Sequence, residues 1–239
     1  MKTSLFSYAG VILLFFIVSS CTDDFIIRGN GIPDSEARLV QGFSSVASEG
    51  SFTVHITSGT EHKLIIEAES NLLEYIETEV TGGHLRIHTR GFTSLRNRLP
   101  VEVYVTTPAL KGIVQSGSGS ITTGYFEAEV FNCVVSGSGS IETSVAASVV
   151  DAVISGSGWL QISGSSISGN LLVSGSGKLN AEDLLVRDCD AKISGSGNIW
   201  TDVSRYLRAV VTGSGYVFYS GGPQVETVVS GSGGIIQKK

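Results

Sequence analysis

Ser-Gly-Ser-Gly begins at Ser116, Ser136, Ser155, Ser174, Ser194 and Ser230, and a copy led by threonine begins at Thr212. The intervals are 20, 19, 19, 20, 18 and 18 residues. A flexible Gly/Ser linker keeps no such period and carries no apolar residues at fixed offsets. Here five residues after each start stand Ile121, Ile141, Leu160, Leu179, Ile199, Val217 and Ile235. Just before the motif stand Val135, Ile154, Val173, Ile193, Val211 and Val229, and only the first copy departs, with Gln115. A departure there is what a terminal rung would show.

A unit this short cannot hold a helix, two loops and a strand, and it is about half of a roughly 40-residue propeller blade. It fits one coil of a β-solenoid, in which strands pair in parallel with the same strands of the turns above and below, about 4.8 Å away. Equivalent residues then stack into columns, with glycine where the coil bends or where walls crowd. The chain is 41% hydrophobic and only 16% charged, with 30 Gly and many Val, Ile and Thr, a composition that favours strands. The fold class expected is all-β, with residues 111–239 as the repeat solenoid.

Alternation through "VVSGSGSI" puts Val135, Gly137, Gly139 and Ile141 on the interior face and Ser136, Ser138 and Ser140 outside. The position following each motif reads Ser120, Ser140, Trp159, Lys178, Asn198, Tyr216 and Gly234. A buried column would not accept Lys, Asn and Trp in turn, so this column faces solvent. Trp159 and Tyr216, with Lys178 and Asn198 between them, form the candidate ligand-binding strip, because exposed aromatics among polar groups stack on sugar rings or a partner protein. The competing reading is that they only shield a Gly-rich wall. Cys133 and Cys189 lie three coils apart, on the order of 14 Å along the axis. A disulfide needs Cα atoms within about 7 Å, so both are expected as free, buried thiols.

The first half lacks the Ser-Gly motif but keeps strand alternation in "SFTVHITSG", "HKLIIEAES" and "VEVYVTTP", and Gly82-Gly83 reads as a hairpin turn. Residues 38–110 are expected to be β structure continuous with the solenoid, covering its N-terminal end. Residues 1–20 have one Lys, an apolar run and then small residues, the layout of an export signal. The run is shorter than the roughly 20 residues of a membrane span. "VSSC" at Val18 to Cys21 looks like a bacterial lipobox, which implies lipidation at Cys21 and a membrane anchor. "CTDD" resembles the acidic surface-export tag of Bacteroidetes lipoproteins, and 21–37 is expected to be a flexible tether. The mature charge is then −7, 15 basic against 22 acidic residues, with no basic stripe for nucleic acid.

Little in the sequence points to catalysis. The glycines are not followed by the Lys-Ser/Thr of a phosphate loop, and the repeats lack the aspartates of calcium β-rolls. His84, Arg86 and His88 share one strand face, but a guanidinium between imidazoles is poor metal chemistry. Asp151, Asp183, Asp188, Asp190 and Asp202 are taken to lie at differing offsets from the motif, as solvated loop charges rather than a catalytic set. No cofactor and no metal is expected.

Together, "FSSVASEGSFTVHIT", "LIIEAESNLLEYIETEV", "GGHLRIHTR", "VEVYVTTPALKGIVQSGSGSI" and the later Ser-Gly coils resemble the auto-transporter adhesin family that carries the head GIN domain, common among Bacteroidetes lipoproteins. The resemblance runs from about Arg38 to Ile236. It implies a right-handed parallel β-helix and surface binding, with no catalytic residues to carry over. The expected function is a lipid-anchored, exported, non-enzymatic adhesion or binding module of the outer membrane, meeting a glycan or surface protein as a monomer or small oligomer. The alternatives are an envelope structural protein assembling through its solenoid ends and, ranked below it, a polysaccharide-acting enzyme.

Overall fold

The computed structural model describes residues 25–238. Cys21, the signal segment and "CTDD" lie outside the described residues. The N-terminal strands are β1 (Phe25–Arg28), β2 (Pro33–Arg38), β3 (Ser45–Gly50), β4 (Thr53–Ser58), β5 (Lys63–Glu69), β6 (Ile76–Thr81), β7 (His84–Thr89), β8 (Thr93–Arg96) and β9 (Glu102–Thr107). The 3-10 turn Leu73–Tyr75 is the one helical element among the described residues. The repeat region follows as β10 (Gly112–Gly117), β11 (Ser120–Gly137), β12 (Ser140–Gly156), β13 (Trp159–Gly175), β14 (Lys178–Gly195), β15 (Asn198–Gly213), β16 (Tyr216–Ser220), β17 (Gln224–Gly231) and β18 (Gly234–Gln237). The result is a parallel β-solenoid of about 7 turns with coils of roughly 19 residues.

Each of β11 to β15 is a whole coil running from one Ser-Gly corner to the next. Ile121, Ile141, Leu160, Leu179, Ile199, Val217 and Ile235 are successive register partners, and the column continues beneath Ile121 through Val54 and Val103. All but Ile235 are buried. Each fully buried Ile or Leu contributes about 1.5–3 kcal/mol of transfer free energy, and stacking repeats that gain at every rung. The variation in coil length is absorbed away from the corners, at irregularities such as Thr122/Tyr125, Gln161/Gly164 and Ala181/Leu185. Extra residues bulge there while the corners stay in register.

The corners are closed between coils. Ser138 and Gly139 N–H both donate to the Gly117 carbonyl at 3.0 and 2.8 Å, and Ser196 and Gly197 N–H to Gly175 O, both at 2.9 Å. The first glycine of each corner has φ between 102° and 126°, a region L side chains rarely adopt. The second glycine is needed for space. A Cβ at Gly139 would stand 2.6 Å from the Gly119 carbonyl, and one at Gly177 would meet Ile154 Cγ2 at 2.5 Å and Gly158 O at 2.9 Å.

Gln115 is not a terminal rung. It is fully buried, stacked on Ser48, which stacks on Ile87, and its Nε2 donates to the Gly50 and Ser116 carbonyls at 3.3 Å each. The corner beneath it is Glu49-Gly50-Ser51-Phe52, whose Gly50 O accepts the N–H groups of Ser118 and Gly119. Spatial order also departs from chain order. One wall runs β7-β3-β10 and the other β9-β4-β11, so the coil holding β3 and β4 lies between its successors. Beyond β7 and β9 the sheet is closed by antiparallel strands, β6 on β7 across the Gly82-Gly83 turn, and β5 on β9 with β2 on β5. These antiparallel strands cover the N-terminal end of the solenoid.

The tether expected over 21–37 is replaced by strand from Phe25 onward. β1 pairs in parallel with β8, and β2 pairs with β5. Besides Asn71, which bonds Arg28 O and Asn30 N, the segment is held by Glu69, fully buried, whose carboxylate accepts N–H bonds from Gly31 (2.5 Å), Arg98 (2.7 Å) and Leu99 (3.4 Å). Burial raises its pKa, and those backbone bonds with the Arg98 charge outweigh it, so the carboxyl is held below its ordinary value.

Two predictions follow from this packing. Gly177→Ala should cost about 1–3 kcal/mol by overpacking, lowering the urea midpoint, while Ser176→Ala at the exposed neighbour stays within about 0.5 kcal/mol; equal midpoints would contradict the crowding. Glu69's depressed pKa means its stabilisation is present above the unfolded value of about 4.3 and is lost as pH falls through the folded value. Glu69→Gln should therefore lower the melting temperature at pH 7, with the difference from wild type shrinking below about pH 4.3. A difference that persists unchanged in acid would mean the carboxylate charge is not the source.

Candidate functional site

Register places the four sequence-selected residues in one outward column. Trp159, Lys178, Asn198 and Tyr216 are consecutive Cα partners on β13 to β16. Trp159 and Tyr216 are 36% and 37% exposed, so both are accessible, but three strand spacings separate them and they act as separate points. The Asn198 side chain is turned along the column, its Oδ1 accepting the Tyr216 N–H at 3.0 Å, which ties it to the scaffold. Lys178 is exposed and has no carboxylate partner among the described residues.

One pleat further along the same wall runs Glu142, Gln161, Asn180, Trp200, Phe218 and Ile236. Trp200 and Phe218 stack with centroids 5.3 Å apart and planes 11° from parallel, and Tyr216 adds to Phe218 at 6.0 Å and 27°. Stacking along the column turns ring faces toward one another and ring edges toward solvent. Trp159 belongs to no ring pair among the described residues. The signal for Trp200 and Phe218 was present six residues after the motif starts Ser194 and Thr212, an offset the column argument did not follow.

The aspartates need a correction. Asp151 and Asp190 occupy the same column, four residues before their corners, in the order Asn132, Asp151, Asn170, Asp190, Arg208, Glu226. The column is a paired polar ladder. Asn170 Nδ2 donates to Asp151 at 2.7 Å, Lys192 Nζ to Asp190 at 2.8 Å, and Arg208 lies 3.5 Å from both Asp190 and Glu226. One pleat away Asp188 is gripped by Arg205 at 2.6 and 2.5 Å and by Arg187 at 3.1 Å. Arg205 first, then Arg187, holds its carboxyl below the usual range against the upward push of burial, the reverse of what a proton donor in glycoside cleavage requires. A groove of about 170 Å³ lies here, lined by Ser168, Asn170, Asp188, Asp190, Tyr206 and Arg208.

The His-x-Arg-x-His face is also ion-paired. Arg86 bridges Glu49 (2.7 and 2.8 Å) and Glu79 (2.8 Å), and both carboxyls are lowered, in each case first by the Arg86 hydrogen bond. Among the described residues no group of His, Cys, Asp and Glu is arranged to hold a metal. Cys133 and Cys189 are free and buried, in different columns. Burial pushes both thiols up, Cys189 to about 12, so neither is a nucleophile near neutral pH.

Residues 42–223 match the family model described as "Putative auto-transporter adhesin, head GIN domain". The chain belongs to this family. Solved structures share the fold of this head GIN domain. One, described as a "putative adhesin" from Bacteroides fragilis NCTC 9343, superposes with a TM-score of 0.83 at 20% identity, covering 89% of this chain and 100% of its own. A "Putative lipid binding protein" from Parabacteroides distasonis ATCC 8503 gives 0.76 at 24% identity, with 90% and 100% coverage. A "putative adhesin" from Parabacteroides merdae ATCC 43184 gives 0.68 at 18%, with 90% and 100% coverage. No curated protein matches the chain.

Proposed function

We propose that this chain is a lipid-anchored, exported β-solenoid that serves as a non-enzymatic binding module at the outer membrane, recognising a glycan or a surface protein. The observation that carries the reading is the uncovered wall on which Trp159, Lys178 and Tyr216 recur at strand spacing, with Trp200 and Phe218 in the adjoining column. The interior is spent on aliphatic columns and the exterior is free to vary. Membership of an adhesin family and the lipobox at Cys21 support the placement at the envelope.

A second reading, assembly through the solenoid ends, is favoured by the last coil. Val228, Val229 and Ile236 there are 49%, 45% and 43% exposed, and the outer edges of β17 and β18 pair with no strand among the described residues, an arrangement that invites pairing. Lys238, which bonds Glu182, places a charge beside that edge. Light scattering separates the readings: a monomer at high concentration removes the assembly role, and an oligomer abolished by Val229→Lys establishes it.

For the binding role, the chain is passed over immobilised host and bacterial polysaccharides and surface proteins. On any ligand retained, Trp159→Ala should weaken binding about threefold to tenfold, the loss of one aromatic stacking contact. Trp200→Ala should do less, because Phe218 covers its ring. Undiminished binding by Trp159→Ala would remove this wall as the site.

A further inference from the structure

The two-stranded ribbon of β1 and β8 is set apart from the solenoid sheet, forming a separate sheet with registers Phe25↔Thr93, Ile26↔Ser94, Ile27↔Leu95 and Arg28↔Arg96. Its inner face carries Ile27 and Leu95, both partly buried. Its tip is apolar and bare. Phe25 is 75% exposed, Ile26 48%, and Phe92, at the turn entering β8, 80%. Alternation sends Phe25 and Ile26 to opposite faces, so the tip is apolar on both sides, the form of a wedge entering a medium end-on.

Charge is distributed unusually here. Arg28, Arg96 and Arg98 are exposed and make no ion pair within 4 Å among the described residues, the Arg98 charge acting on Glu69 only at longer range. Every other arginine of the described chain is paired: Arg38 with Glu36, Arg86 with Glu49 and Glu79, Arg90 with Glu77, Arg187 and Arg205 with Asp188, and Arg208 with Asp190 and Glu226. In an acidic chain, three unpaired guanidiniums gathered behind an apolar tip match a surface that is hydrocarbon inside and phosphate outside. Guanidinium is the side chain suited to phosphate, and basic groups are drawn to an anionic membrane surface.

Chain length supplies the occupant. Phe25 follows Cys21 by four positions, so a fully extended link spans at most about 14 Å. An acylated Cys21 therefore delivers this tip to the bilayer and to nothing further away. We infer that the β1–β8 ribbon seats on the phospholipid bilayer beside the anchor, Phe25, Ile26 and Phe92 entering the headgroup boundary and Arg28, Arg96 and Arg98 meeting lipid phosphates. This rests on the lipid-anchor reading above. Seating fixes the solenoid relative to the membrane, so its walls stand in a set direction instead of tumbling on a tether.

The test uses the acylated full-length mature chain carrying Phe92→Cys, labelled with an environment-sensitive fluorophore. Cys133 and Cys189 are buried and stay unlabelled. Vesicles of phosphatidylethanolamine and phosphatidylglycerol containing brominated phosphatidylcholine are the probe, with Ser232→Cys at the last corner as the distant control and Ile26→Cys as a second ribbon position. Flotation with the vesicles, together with a blue shift and quenching at 92 and 26 but not at 232, is the expected result. Flotation without quenching at either ribbon position overturns the seating and leaves the anchor intact. Failure to float overturns both.

Discussion

A carbonyl oxygen lies over the glycine of the next coil, and the rest of the molecule depends on that contact. At each corner the first glycine's C=O accepts one or two N–H groups from the corner stacked on it, and the second glycine leaves no room for a methyl group. Two constraints, positive φ at one glycine and close approach at the other, fix the residues in a stretch that would otherwise tolerate many. Because the corner bonds run between coils, each corner is a stitch in the stack as well as a turn. The strands on either side are thereby held in parallel register over the whole repeat region.

That register separates two kinds of position. Inward columns are mostly aliphatic, with Gln115 on Ser48 as a polar exception, and one of them runs without a break from Val103 to Val217. Outward columns meet only solvent and their neighbours above and below. The protein fills some with self-satisfying ladders, such as Asn170 on Asp151 and Arg208 between Asp190 and Glu226. It leaves others, with Trp159 and Lys178, unsatisfied. Recognition belongs in the second kind, since a side chain already bonded to its neighbour has less to offer a ligand. Trp159 is accordingly the residue most free to bind, and Asn198, bonded to the Tyr216 backbone, the least free of the four selected from sequence.

The repeated half of the fold was legible because every coil solves the same steric problem with the same residues. The first half was less so, because there each solution is used once. Glu49-Gly50-Ser51-Phe52 is a corner in which Phe52 stands where later corners have their second glycine, and one glycine does not announce a motif. The order β7-β3-β10 could not be read at all, since alternation gives the face of a strand and not its neighbour. The tether reading of 21–37 failed on long-range partners: "RGNGIPDSEA" is held by the Glu69 carboxylate, by Asn71 and by pairing with β5. On the outer wall, comparing a single offset found Trp159 and Tyr216 but passed over Trp200 and Phe218, and the shared offset of Asp151 and Asp190 went unrecognised.

The two ends are finished differently. The N-terminal end is closed by antiparallel strands and begins four positions after Cys21, while the C-terminal coil is bare. Under the proposed anchor at Cys21, the walls and the open coil project away from the membrane. Whether that direction is out of the cell decides the account. The direct measurement is labelling of intact cells with a membrane-impermeant amine-reactive biotin, which reaches exposed lysines such as Lys178 and Lys192. Labelling of this chain while periplasmic proteins stay unlabelled is the result the account predicts. Labelling only after the envelope is permeabilised would contradict it and place this wall toward the periplasm.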